Sequence, residues 1–320
     1  MWGQTQRPGQ PVILGPLLLV LALAAPAWPS SPEPLTPARR VVLYEAYELA
    51  AALQAWDRVA GLSTYAKEND LMQRLLPHLQ EMPAPGSGFV LNVEALLALK
   101  TDLVVTWSRK PEALEFLRRQ GIKVLAIYPE SIADLLEVLD RLGQVFDCGA
   151  RAAEVGAVMR QSLGAVEQYR RERRAGVPAP RVVWLWGKPT TINGNRGVTA
   201  DLIRIAGGRN LGEHLDDLNR EISMEEMMAL DPEVVLIWGS AVYSPETLYN
   251  DPKWQSVSAV KNRRIVKLPR QSTWSPRVVD LAWLMLQTFY PGVLPPAEVA
   301  ARLDAYYRAV FGIPWPGWTP

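Results

Sequence analysis

With 320 residues, 48% of them hydrophobic, the chain is long enough to form two cores of ordinary size. Its net charge of +1 gives no electrostatic footing for nucleic acid or an acidic membrane surface. A single cysteine, Cys148, excludes an intrachain disulfide and a thiolate metal cluster.

Residues 1–27 read as a signal peptide. Arg7 gives a weak positive start, Val12–Ala25 is apolar apart from Gly15 and Pro16, and Ala25-Pro26-Ala27 is a small-residue cleavage site. The uninterrupted run Leu17–Ala25 is too short to span a bilayer, and no cysteine near the cleavage site offers a lipid anchor. The expected product begins near Trp28 and is exported as a soluble protein. Pro29, Pro32, Pro34 and Pro37 then make an extended leader.

An N-terminal α/β lobe is expected over residues 38–150. Arg40–Tyr44 reads as its first strand, Glu48–Trp56 as a helix, Val59–Leu62 as a strand and Ser63–Asn69 as a loop. A helix over Pro111–Gln120, the strand Ile122–Ile127 and a helix over Ser131–Gly143 follow. From Arg151 to Ala175 there is no proline, and Val155, Val158, Met159, Leu163 and Val166 recur at helical spacing. One long helix is expected within 151–177; about 24 residues at about 1.5 Å each run roughly 36 Å, enough to join two lobes. Its basic end, Arg170–Arg174, complements a helix C-terminus and needs no nucleic acid to explain it.

A second lobe is expected over 178–311. Arg181–Trp186 and Arg264–Leu268 read as strands, and Thr199–Ala206 as a helix closed by Gly207-Gly208. Helices over Arg277–Phe289 and Pro296–Phe311 end the fold, and the Pro- and Trp-rich tail 312–320 is expected to be irregular. The alternation of strands and helices in both lobes implies mainly parallel sheets covered on both faces.

One pattern is written twice. Asn92–Trp107 aligns without a gap on Ser223–Trp238: Glu94 matches Glu225, Ala98-Leu99 matches Ala229-Leu230, Asp102 meets Glu233 and Trp107 meets Trp238. Each copy has a polar helix start, apolar residues at helical spacing and a β-branched strand ending in tryptophan. Two copies indicate two similar lobes; a solenoid needs more copies at shorter period.

The segments Leu91–Val105, Ala206–Leu211 and Ile222–Val235 resemble the periplasmic substrate-binding proteins of ABC importers for iron–siderophore complexes, haem and vitamin B12. The resemblance spans about Arg40 to Phe311 and implies two α/β lobes joined by one long backbone helix, with the ligand cleft between them. It also implies a surface glutamate on each lobe that docks on arginines of the permease dimer in the inner membrane, and Glu94 and Glu225 match those positions. Their other reading is local, as acids that complement helix N-termini.

In open α/β sheets ligands collect at the carboxyl ends of strands. That rule selects Tyr44, Glu45 and Tyr47, Tyr65 and Lys67, and Trp107 with Arg109 in the first lobe. In the second it selects Trp186 and Lys188, Trp238, and Arg270, Trp274 and Arg277 of the 269–277 loop. Aromatic faces with a few cations suit a flat or aromatic anionic ligand. Trp107 and Trp238 have an alternative role as caps on their own cores. Arg277 stands at a helix start, where positive charge is unfavourable, so an anionic ligand or a nearby carboxylate is required.

Rival functions have less support. A site for a bare zinc or manganese ion needs clustered histidines and carboxylates, and the chain has only His78 and His214. No Walker, Gly-x-Gly-x-x-Gly or Gly-x-Ser-x-Gly motif marks an enzyme, and no cofactor is expected. The expectation is a monomeric periplasmic protein that carries a metal chelate, any metal arriving within the cargo. Ferric siderophore leads, corrinoid or haem comes next, and an oxyanion such as molybdate is an outside alternative. Haem would take an axial ligand from Tyr44, Tyr47 or Tyr65.

Overall fold

The computed structural model describes residues 36–318, apart from 89, 108–110 and 174–175. The expected signal peptide, the leader before Thr36 and Arg109 lie outside the described residues.

The first lobe contains β1 (Val41–Leu43), α1 (Tyr47–Leu53), β2 (Val59–Leu62), α2 (Thr64–Lys67), α3 (Asp70–Leu75), α4 (Val93–Ala98), β3 (Leu103–Trp107), α5 (Pro111–Arg119), β4 (Lys123–Ile127) and α6 (Ile132–Val145). Its strands form one parallel sheet in the order β2-β1-β3-β4. Val41–Leu43 and Leu103–Val105 are buried, as strands covered on both faces must be. The Ser63–Asn69 stretch is not the expected plain loop. Ser63 accepts a hydrogen bond from the Tyr65 amide and starts α2, and Asn69 accepts from Met72 and starts α3.

α7 (Gly149–Arg173) follows, with Ala152, Val155, Met159, Leu163 and Val166 as its buried stripe. It packs on α1 and α6 of the first lobe. The second lobe comprises β5 (Arg181–Leu185), β6 (Thr191–Asn193), α8 (Val198–Ile205), β7 (Arg209–Asn210), β8 (Asn219–Glu221), α9 (Met224–Leu230), β9 (Val234–Ile237), α10 (Pro245–Asn250), α11 (Ser258–Lys261), β10 (Ile265–Lys267), α12 (Val278–Phe289) and α13 (Pro296–Phe311). α7 packs there on α8, α12 and α13. Arg151 on α7 makes the same connection through one guanidinium, which donates to the carbonyls of Ala52 at the end of α1 and of Ala309 and Val310 at the end of α13. Cations suit such helix ends.

The six-stranded second sheet runs β10-β9-β5-β6-β8, with β7 also on β5. β10, β9, β5 and β7 are parallel, whereas β6 and β8 add an antiparallel edge. Those edge strands are short and polar, Thr191–Asn193 and Asn219–Glu221, so they lack the apolar run that marks a strand in sequence.

The repeat is physical. Asn92 caps α4 by accepting from the Ala95 amide, and Ser223 caps α9 by accepting from Glu226. Asp102 accepts from the amides of Arg39 and Arg40 ahead of β1; its counterpart Glu233 accepts from the amide of Arg181 at the start of β5. Each acid thus ties its own strand to the neighbour. The tail turns back on α13: the Trp315 amide donates to Asp304, and Trp315 and Trp318 meet edge to face at 5.1 Å. No helix among the described residues is long and apolar enough to cross a membrane.

Candidate binding cleft between the lobes

The carboxyl ends of β1, β2 and β3 face those of β5, β9 and β10 across a cleft of about 580 Å³. The first lobe contributes Tyr47, Tyr65, Glu68, Asn69, Asp70 and Trp107 to its lining; the second contributes Trp186, Trp238, Ser240, Arg277 and the run Pro269–Thr273. Such a volume lies within the range of small-molecule sites, and the aromatic walls offer large rigid contact area. Gly239 makes the second wall possible: a Cβ there would stand 2.2 Å from the Pro269 carbonyl, so only glycine lets the loops after β9 and β10 pass so closely.

The tryptophans are backed by packing. Trp186 lies 5.6 Å from Trp238 and 5.6 Å from the buried Trp184, centroid to centroid. Tyr243 fixes the same wall by donating from its hydroxyl to the Trp186 carbonyl at 2.6 Å. On the opposite wall Trp107 lies against Gly88, where a Cβ would be 3.0 Å from the indole nitrogen. Glu45 sits behind this wall, outside the lining. Burial pushes its carboxyl up to about 7, a hydrogen bond with Trp107 offsets part of that, and Glu48 adds to the rise. Tyr47 is held as a phenol, its pKa raised by burial and by Glu48 and Glu45.

Several residues selected by the strand-end rule are placed elsewhere. Tyr44 is fully buried under the first sheet and donates to the Pro85 carbonyl, so it cannot serve as an axial ligand. Lys67 donates to the Gln80 carbonyl, and Lys188 pairs with Glu221 on the surface at 2.8 Å; neither lines the cleft. Trp274 does not line it either. This ring packs edge to face on Trp107 at 6.0 Å and on Tyr128 at 5.2 Å, so a second-lobe side chain is plugged into the first lobe.

Arg277 does reach the cleft floor, but its charge is already engaged. The side chain is 4% exposed. It donates to both oxygens of Asp70 at 2.7 and 3.2 Å, to Glu48 at 3.5 Å and to the Tyr307 hydroxyl at 3.1 Å. The carboxylate required to explain a cation at this helix start is therefore supplied across the lobe boundary. Arg270 is paired as well, with Glu68 at 3.1 Å. The described cations of the lining thus face acids that also line it, so the lining carries matched charges. Glu68, Asn69 and Asp70 escaped the strand-end rule because two short helices, α2 and α3, carry them to the cleft after β2.

Glu94 and Glu225 are exposed in the first turns of α4 and α9. His78 and His214 are exposed, and no group of three or more His, Cys, Asp and Glu able to hold a metal occurs among the described residues. A second hollow, about 440 Å³, is lined by Pro37, Arg39, Asp57, Arg58 and Asp147. It has no aromatic wall.

Helicobacter pylori CeuE, solved in complex with Ni-His, superposes with a TM-score of 0.77 at 28% identity, covering 87% of this chain and 91% of that one. The molybdate-binding protein MolA of Haemophilus influenzae is 22% identical over 305 residues, 85% of this chain and 86% of its own. The vitamin B12-binding protein of Yersinia pestis is 25% identical over 196 residues, 60% of this chain and 66% of its own. The family profile described as periplasmic binding protein matches residues 41–272, most of the chain. With two α/β lobes, a long helix between them and an aromatic cleft at their strand ends, the chain belongs to the periplasmic binding proteins of ABC importers.

Proposed function

We propose that this protein captures a metal chelate in the interlobe cleft and delivers it to an ABC import permease from the periplasm. The observation that carries the reading is the pairing of tryptophan walls with a charge-balanced lining: Trp107 faces Trp186 and Trp238, while Arg270 and Arg277 are matched by Glu68 and Asp70. A bare oxyanion would need donors with charge to spare. An organic chelate of low net charge instead gains from ring contact, each exposed cation–π or stacking contact adding about 0.5–1 kcal/mol to what burial of its apolar surface contributes. Ferric siderophores, corrinoids and nickel–histidine chelates of low charge all fit this description. A strongly anionic siderophore fits less well.

The exposed Glu94 and Glu225 occupy equivalent first turns of the repeated helices and are proposed as the permease-docking pair. Exposed charges of this kind orient and steer an encounter more than they stabilise it.

The test is intrinsic tryptophan fluorescence, titrated with ferric siderophores, haem, cobalamin, nickel–histidine and molybdate and corrected for ligand absorbance. Saturable micromolar or tighter quenching by one chelate supports the reading. Saturation by molybdate alone, or by none of the chelates, counts against it.

A further inference from the structure

The loop between β10 and α12 crosses between the lobes with three side chains. Within residues 269–277 it places Arg270 on Glu68, Trp274 between Trp107 and Tyr128, and Arg277 on Asp70 and Glu48. These contacts differ in kind. Arg270 and Glu68 are both 66% exposed, whereas the Arg277 and Glu48 side chains are 4% and 2% exposed.

The buried group is built from both sides. From the first lobe, Asn69 donates to Glu48 at 2.6 Å, and Asp70 accepts both arms of the Arg277 fork. From the second, Tyr307 accepts from Arg277 and donates to Asp280 at 2.5 Å, and Gln271 donates to the Arg277 carbonyl at 2.9 Å. Such a forked pair is directional. A small separation of the lobes loses its geometry and leaves the Arg277 and Glu48 charges, 4% and 2% exposed, without their partners, so the energy rises steeply at the start of any opening. The rim pair behaves otherwise, because two long exposed side chains stay bridged or hydrated at every displacement.

We propose that Arg277 is a positioning residue: its forked pair with the partly exposed Asp70, backed by the buried Glu48, fixes the interlobe angle in the absence of ligand, and the cleft yields only at its rim, where Arg270 meets Glu68. The angle of the walls is then a property of the empty protein, whichever solute it carries. This goes beyond the assignment of cargo and does not depend on it.

The proposal is tested on ligand-free full chain in a Cys148→Ser background, with nitroxide labels at Leu97→Cys on α4 and Met228→Cys on α9, both exposed sites. The interlobe distance distribution is read by double electron–electron resonance. The parent should give one narrow distance, Asp70→Asn should roughly double its width and extend it to longer distances, and Glu68→Gln should leave it narrow. A distribution in Asp70→Asn as narrow as the parent's would overturn the proposal, as would equal broadening by Glu68→Gln. Should Asp70→Asn fail to melt cooperatively, hydrogen exchange in the unaltered protein decides: amides of α3 as protected as the sheets support the pin, and exchange at loop rates refutes it.

Discussion

Arg196 of the second lobe grips Glu130 of the first through three hydrogen bonds, its Nε at 2.8 Å from one carboxylate oxygen and its Nη2 at 2.6 and 2.5 Å from both. The same crossing carries backbone bonds, from the Gly197 amide to the Glu130 carbonyl and from the Ile132 amide to the Asp201 carboxylate. The lobes are therefore tied beside α6 and α8 as well as at the cleft floor. Because the pair is partly exposed, Arg196→Ala should cost only about 1 kcal/mol in urea unfolding, and less at high salt. A loss several times larger would show that this tie, not the cleft floor, dominates the interface.

The tryptophan walls carry the binding prediction. Trp186→Ala and Trp238→Ala should each weaken chelate affinity by about tenfold, near 1.4 kcal/mol, in equilibrium titration. The Lys188–Glu221 pair stands outside the cleft, so Lys188→Ala should leave affinity unchanged. If Lys188→Ala matched the tryptophan variants, the ligand would have to sit elsewhere.

Buried acids give a pH dependence of definite sign. Burial holds the Asp280 carboxyl up at about 7, although Arg277 and the Tyr307 hydrogen bond pull it down and Glu48 pushes it further up; Glu45 also stands at about 7. Unfolded, both return to the usual carboxylate range near 4. Between these values the folded chain holds protons that the unfolded chain has released, so stability falls as pH rises from about 4 to about 7 and levels off above, by at most on the order of 1 kcal/mol per pH unit for each acid. Asp280→Asn should remove part of that fall. Urea melts at pH 5 and pH 8 check it, and an undiminished difference in the variant would assign the effect to other groups.

Reversal of both docking charges, Glu94→Arg with Glu225→Arg, should abolish uptake while leaving chelate affinity intact. The measurements are transport in reconstituted vesicles and a titration of the isolated protein. Unchanged transport would return both glutamates to a local role at their helix starts.

The repeat makes the two lobes legible in the amino-acid sequence. Asn92 and Ser223 announce helix starts, the β-branched runs before Trp107 and Trp238 announce buried strands, and both signals are local. The strand-end rule found Tyr47, Tyr65, Trp107, Trp186, Trp238, Arg270 and Arg277 on the cleft, since a strand's end fixes which loop faces it. It failed where burial or partner choice decides. Tyr44 and Tyr47 are three residues apart at the same strand end, yet one turns under the sheet to Pro85 and the other faces the cleft.

The amino-acid sequence by itself determined the two-lobe architecture, the long connecting helix and the aromatic character of the strand ends, because periodicity, capping and β-branched runs act over a few residues. Only the tertiary structure decided what the cations do. Arg277 meets Asp70 and Glu48, and Arg270 meets Glu68, across some two hundred positions of chain. No local signal records such a pairing, since it exists only when two separately folded lobes bring their charges within hydrogen-bond reach. That pairing turns an apparently cationic cleft into a charge-balanced one.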